Sequence, residues 1–80
     1  MNCIPIHVRV DFRLDGNIVP LTYIEPEGRT CSIQKVYWAG RDTKNPHMLI
    51  FDCLIKDGGN DMEKRLLFSG ERWYLCSLKL

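Results

Sequence analysis

Long apolar runs are missing from this chain of 80 residues. Nowhere does it reach the roughly 18 consecutive apolar residues of a membrane helix, and residues 1–6 carry no basic region followed by an apolar stretch of the kind that marks export. The expectation is a cytoplasmic protein that does not engage membranes. An excess of one charge is also missing: eleven Lys and Arg stand against ten Asp and Glu, a formal net charge of +1. The strong positive field of a dedicated duplex DNA binder is therefore excluded, although a local basic patch is not. Close cysteine pairs are lacking too. Cys3, Cys31, Cys53 and Cys76 are scattered singly, whereas structural zinc sites place ligands in pairs that one local turn delivers to the ion. Four cysteines permit two disulfides in three connectivities, but without an export signal reduced thiols are expected. Cys31, Cys53 and Cys76 lie in apolar strands, where thiols serve as small core residues.

Catalytic signatures are absent from the sequence. It has no glycine-rich phosphate loop, no His-Glu-x-x-His helix and no nucleophile elbow. His7 and His47 are forty positions apart, and their ordinary reading is surface or structural rather than half of a Cys-His pair. Asp57, Asp61 and Glu63 cluster about a turn, where solvation accounts for them. No enzyme, no cofactor and no metal are expected.

What is present is β structure. A hydrophobic fraction of 45% with 26% charged residues is that of an ordinary folded protein. A chain this short buries only roughly 60% of its unfolded surface, so residues 1–80 should form one domain around one core. In residues 6–14, Ile6, Val8, Val10, Phe12 and Leu14 alternate with His7, Arg9, Asp11 and Arg13, giving a strand with one dry and one wet face. The wet face reads as solvated, because Asp11 interrupts its positive run. Asp15-Gly16-Asn17 makes a tight turn, and residues 18–24 form a second, antiparallel strand, bent where Pro20 lacks a ladder donor.

Glu25-Pro26-Glu27-Gly28 is a turn by composition. A third strand runs over residues 29–38, with a bulge near Gln34-Lys35 to reconcile Cys31 and Ile33 with Val36 and Trp38. Residues 39–46 read as the longest polar connection, broken by Gly40, Asp42, Asn45 and Pro46 and charged by Arg41 and Lys44. Residues 47–56 are an apolar strand expected to be covered on much of both faces. The run Asp57-Gly58-Gly59-Asn60-Asp61 is a hairpin turn, residues 62–68 a fifth strand in preference to a helix, and residues 72–78 a sixth. The fold class is therefore all-β: an antiparallel meander of about six strands, curled into a partly closed, SH3-like barrel that limits exposed edges.

The succession Leu14-Asp15-Gly16, Ile18 and Pro20, then Gly28-Arg29, Ile33-Gln34-Lys35-Val36, Leu67-Phe68 and Arg72-Trp73-Tyr74 resembles a group of short uncharacterised bacterial proteins common in Firmicutes. Their pattern runs Asp-Gly, Ile, Pro, Asp-Gly-Arg, Ile-Asp-Lys-Val, Leu-Phe and Arg-Trp-aromatic, and it is distantly similar to a small domain of unknown function found near translesion DNA polymerases. Glu27, Gln34 and the segment 39–46 depart from that pattern. The resemblance implies a β-barrel and carries no activity.

Tyr37, Trp38, Arg41, Lys44, Arg72 and Tyr74 are the candidate partner-binding residues, combining aromatic and cationic groups. The two tryptophans are also large apolar bodies that so small a core can hardly spare, and at most one should be exposed. The expected function is a non-catalytic binding module, a regulator or inhibitor of phage or mobile-element origin. A protein partner is favoured over nucleic acid because charge is near neutral while aromatic, Met and Arg residues suited to interfaces are at hand. The alternative is a barrel that stacks single-stranded nucleic acid on aromatics and follows its phosphates with Arg and Lys. The oligomeric expectation is a monomer, or a weak homodimer through an edge strand.

Overall fold

Short turns organise the chain, and glycine supplies the backbone geometry they need. Gly58 and Gly59, with φ of 58° and 87°, form a two-residue hairpin loop between the paired Asp57 and Asn60. Consecutive positive φ values match the right-handed twist of the flanking strands. The loop between the paired Ser69 and Arg72 repeats this form, but its second position is Glu71 at φ 67°, a conformation that costs an L-residue energy. The first two hairpins instead use three-residue loops. Arg13 N–H donates to the Asn17 carbonyl in one, and Glu25 N–H to the Arg29 carbonyl in the other.

The computed structural model describes residues 3–77. Its strands are β1 (Cys3–Phe12), β2 (Ile18–Ile24), β3 (Thr30–Arg41), β4 (Leu49–Asp57), β5 (Asn60–Ser69) and β6 (Arg72–Ser77). Each pairs antiparallel with its sequence neighbour, and β6 returns to β1, so the meander closes into a six-stranded barrel as expected. Closure pairs the first strand with the last, the two that would be the edges of a flat sheet.

Alternation places one side of each strand in the core. Tyr23, Cys31, Phe51, Cys53, Ile55, Leu66 and Leu75 form it, with Ile6, Val8, Ile18, Ile33, Val36, Leu49, Phe68 and Trp73 packed around them. Trp73 stacks on Phe68 at 4.7 Å between centroids and meets Phe51 at 5.4 Å. Such pairs add about 0.5–1.5 kcal/mol beyond the area they bury.

Several expectations are corrected. Phe12 and Leu14 do not share the dry face of β1: Phe12 is 70% exposed and Leu14 fully so, because the first hairpin runs past the end of the core. Ala39, Gly40 and Arg41 belong to β3, where they pair with Phe51, Ile50 and Leu49, so the connection spans only residues 42–48. The expected bulge exists at Gln34, and a second follows at Tyr37. A slip of the β1–β2 ladder passes over Leu21, beside Pro20, as the missing proline donor suggested. The reduced state expected for all thiols fails for Cys3 and Cys76, which stand opposite each other on β1 and β6 and form a disulfide across the seam. Cys31 and Cys53 are free and buried, as core thiols. Leu78, assigned from sequence to the sixth strand, lies outside the described residues.

Candidate interaction surfaces

The ladder registers carry a row of residues around the outside of the barrel. Trp38 stands opposite Asp52, Asp52 opposite Arg65, Arg65 opposite Cys76, and Cys76 opposite Cys3. The neighbouring outward row runs Gly40, Ile50, Leu67, Tyr74 and Pro5. This outer face of β3 to β6 is therefore an apolar band beside a charged pair and a disulfide.

Two side chains stand proud of that face. Trp38 is 48% and Tyr37 45% exposed. The Trp38 ring lies over Gly40, where an added Cβ would sit only 2.7 Å from the ring, so glycine is what lets the indole lie along the strand. Tyr37 is the extra residue of the second bulge, and a bulge re-aims a side chain in this way. Its hydroxyl is held above its ordinary pKa, first by desolvation and then by Glu63 and Asp52. The charges between the aromatics are already satisfied, because Arg65 is clamped by Asp52 and its pKa is raised first by that hydrogen bond.

The structure sorts the six predicted residues. Tyr37, Trp38, Arg72 and Tyr74 share the outer face, although Gly40, beneath the Trp38 ring, is three strand spacings from Tyr74, about 14 Å. Arg41 lies elsewhere, at the end of β3, where its Nη1 donates to the Pro46 carbonyl. Lys44 is exposed in the connection that follows. Of the two tryptophans, Trp73 packs inside and Trp38 is the one left outside.

A second surface escaped the sequence reading. The β2–β3 ladder has only three residue pairs, Ile24–Thr30, Tyr23–Cys31 and Thr22–Ser32. At that end the strands are tied together. Glu25 Oε1 accepts from Arg29 Nε at 3.2 Å and Nη2 at 2.8 Å, and it receives the Cys31 thiol at 3.8 Å. The Tyr23 hydroxyl is driven to a higher pKa first by burial and then by the neighbouring Cys31. Beyond Ser32 the strands part, and two adjoining cavities of about 200 and 330 Å³ open between the first hairpin and β3. Phe51 and Ile18 line both. The signal available in sequence was the double slip of alternation in β3.

The geometry bears on chemistry as well. His7 and His47 are exposed while both free thiols are buried. Burial, followed by the charge of Asp52, pushes the Cys53 thiol up to about 12, which keeps it protonated and unreactive at neutral pH. Among the described residues no three His, Cys, Asp or Glu side chains gather as metal ligands. Comparison with protein-family models, curated proteins and solved structures returned no significant match.

Proposed function

We propose that the chain is a non-catalytic protein-binding module, of a size suited to a regulator or inhibitor, which contacts its partner through the outer face of β3 to β6. The observation that carries this reading is Trp38, half exposed and laid over Gly40 beside the row Ile50, Leu67 and Tyr74. Interfaces concentrate their energy in such aromatic anchors with apolar surroundings. The Asp52–Arg65 pair supports the same reading, since a charge that arrives already hydrogen-bonded loses less when a partner excludes water. The disulfide weighs against a reducing cytoplasm as the place of work, because such bonds persist in oxidising compartments.

The exposed pair Tyr37 and Trp38 also favours a second reading, single-stranded nucleic acid stacked on the two rings. Affinity capture with mass spectrometry separates the two. Under the first reading wild type enriches a specific protein, and Trp38→Ala and Tyr74→Ala, with unchanged circular dichroism, lose it. Saturable binding of an oligothymidylate that fades with salt and with Trp38→Ala, without any protein enriched, would overturn it in favour of the second.

A further inference from the structure

The groove between the first hairpin and β3 is separate from the outer face and bounded by an unpaired strand edge. Beyond Ser32 no described strand pairs with the side of β3 that faces away from β4. Trp38, Ala39, Gly40 and Arg41 run in regular register with Asp52 to Leu49, so the backbone there is extended and its opposite edge faces the groove. Ala39 lines that side, where a small residue lets another backbone approach. Phe51, Ile18, Val36 and Leu49 make the lining apolar. Phe12 and Leu14, both strongly exposed, flank Arg13 at the hairpin lip.

Charge selects the occupant. Among the described residues, the only charged side chains lining the two cavities are Arg13 and Arg41. Arg13 has an exposed ion pair with Asp11 at 3.6 Å, a contact of little strength, and Arg41 gives one donor to the Pro46 carbonyl. Both guanidinium groups keep donors for an incoming carboxylate. A second copy of this chain would bring its own Arg13 and Arg41 against these two, and like charges oppose that docking. A nucleic acid strand would need an open aromatic face in the groove, but Phe51, the one ring among the described residues that line it, is 4% exposed.

We infer that this groove receives an extended segment of a partner protein, apolar at its centre and acidic at its flanks, which adds as a strand along the β3 edge. Main-chain hydrogen bonds to β3 hold it, the Phe51 floor takes an apolar side chain, and Arg13 and Arg41 take the carboxylates. The site goes beyond the outer-face reading and does not depend on it.

The test uses the intact protein and a fluorescent blocked peptide, Glu-Val-Thr-Val-Thr-Glu, followed by anisotropy at low salt. Binding is expected, weakening as salt rises, with amide shifts in NMR spectra at Ile18, Val19 and residues 38–41. Replacing both Glu by Lys, or N-methylating alternate backbone amides, is expected to weaken binding at least about tenfold. The double variant Arg13→Glu/Arg41→Glu should instead prefer the Lys peptide. If that variant does not fold, the peptide substitutions on wild type carry the test alone. Tyr74→Ala should leave peptide affinity unchanged, which separates this site from the outer face. The proposal is overturned by absence of binding at low salt, by equal affinity for the Lys or N-methylated peptide, by shifts confined to β5 and β6, or by tighter binding of an oligothymidylate in the groove.

Discussion

Arg65 grips Asp52 from the directly opposite position on the neighbouring strand, Nε donating to Oδ1 at 2.7 Å and Nη2 to Oδ2 at 3.0 Å. Both side chains are largely shielded, 28% and 13% exposed, so the pair stands between the weak surface class and the fully buried one. Arg65→Met leaves a shielded carboxylate without its donors and is expected to cost about 2 kcal/mol. Adding Asp52→Leu to that variant should restore much of the loss, since the orphaned charge is what costs. Urea melts of the two variants decide it, and a double variant no more stable than the single one would sink the argument.

The disulfide joins residues 73 apart in sequence across the β1–β6 seam. Opening a loop of that length in the unfolded chain corresponds to about 4 kcal/mol on the chain-entropy model. Cys3→Ala/Cys76→Ala is expected to lower Tm by about 20 °C. Wild type under reductant should fall in parallel, the exposed Cys3 giving the reagent access to a bond whose other half is buried. Scanning calorimetry with and without reductant measures both, and identical melting would show that the bond does not hold the seam.

Glu71 occupies a position that its neighbours in the fold give to glycine. At φ 67° its side chain crowds the backbone. Glu71→Gly relieves this and should stabilise by about 0.5–1 kcal/mol, the net of removed strain and added unfolded-state entropy. Glu71→Val should destabilise, because a β-branched side chain tolerates the left-handed region worst. Thermal melts that rank the two in the reverse order would refute the assignment.

Alkaline pH attacks the core. The Cys53 thiol has a folded pKa pushed up to about 12 from an ordinary 9.0, and burial raises Tyr23 in the same direction. Each group binds its proton more tightly folded than unfolded. Its contribution is therefore complete below pH 9 and is lost as pH rises toward the folded value, by up to about 1.4 kcal/mol per unit for each group. Urea midpoints should be level below pH 9 and decline from there to pH 12. Cys53→Ala should show a shallower decline from a lower starting stability, and an unchanged slope would mean that the thiol does not contribute.

The sequence by itself determined the strands and their order. Alternation in residues 6–10, β-favouring residues over 18–24 and glycine in the turns are local properties, and local steric rules decide them whatever the rest of the chain does. Even the bulge at Gln34 was written in a slip of parity, and neighbouring hairpins left the meander as the economical topology. The candidate site was legible only in part, because the aromatics of β3 and β6 could be named while their sides could not. That Trp38 lies outside and Trp73 inside follows from the second bulge at Tyr37, which turns Trp38 to the side of Asp52, and from Phe68 and Phe51 waiting at Trp73.

Only the closed barrel decided the rest. Cys3 meets Cys76 because β6 returns to β1, a contact between the two ends of the chain that no local signal encodes. The groove exists because the β2–β3 ladder stops at Ser32 while β3 runs on to Arg41, and a ladder's length is set by how the twisted ring closes, not by the strands it joins.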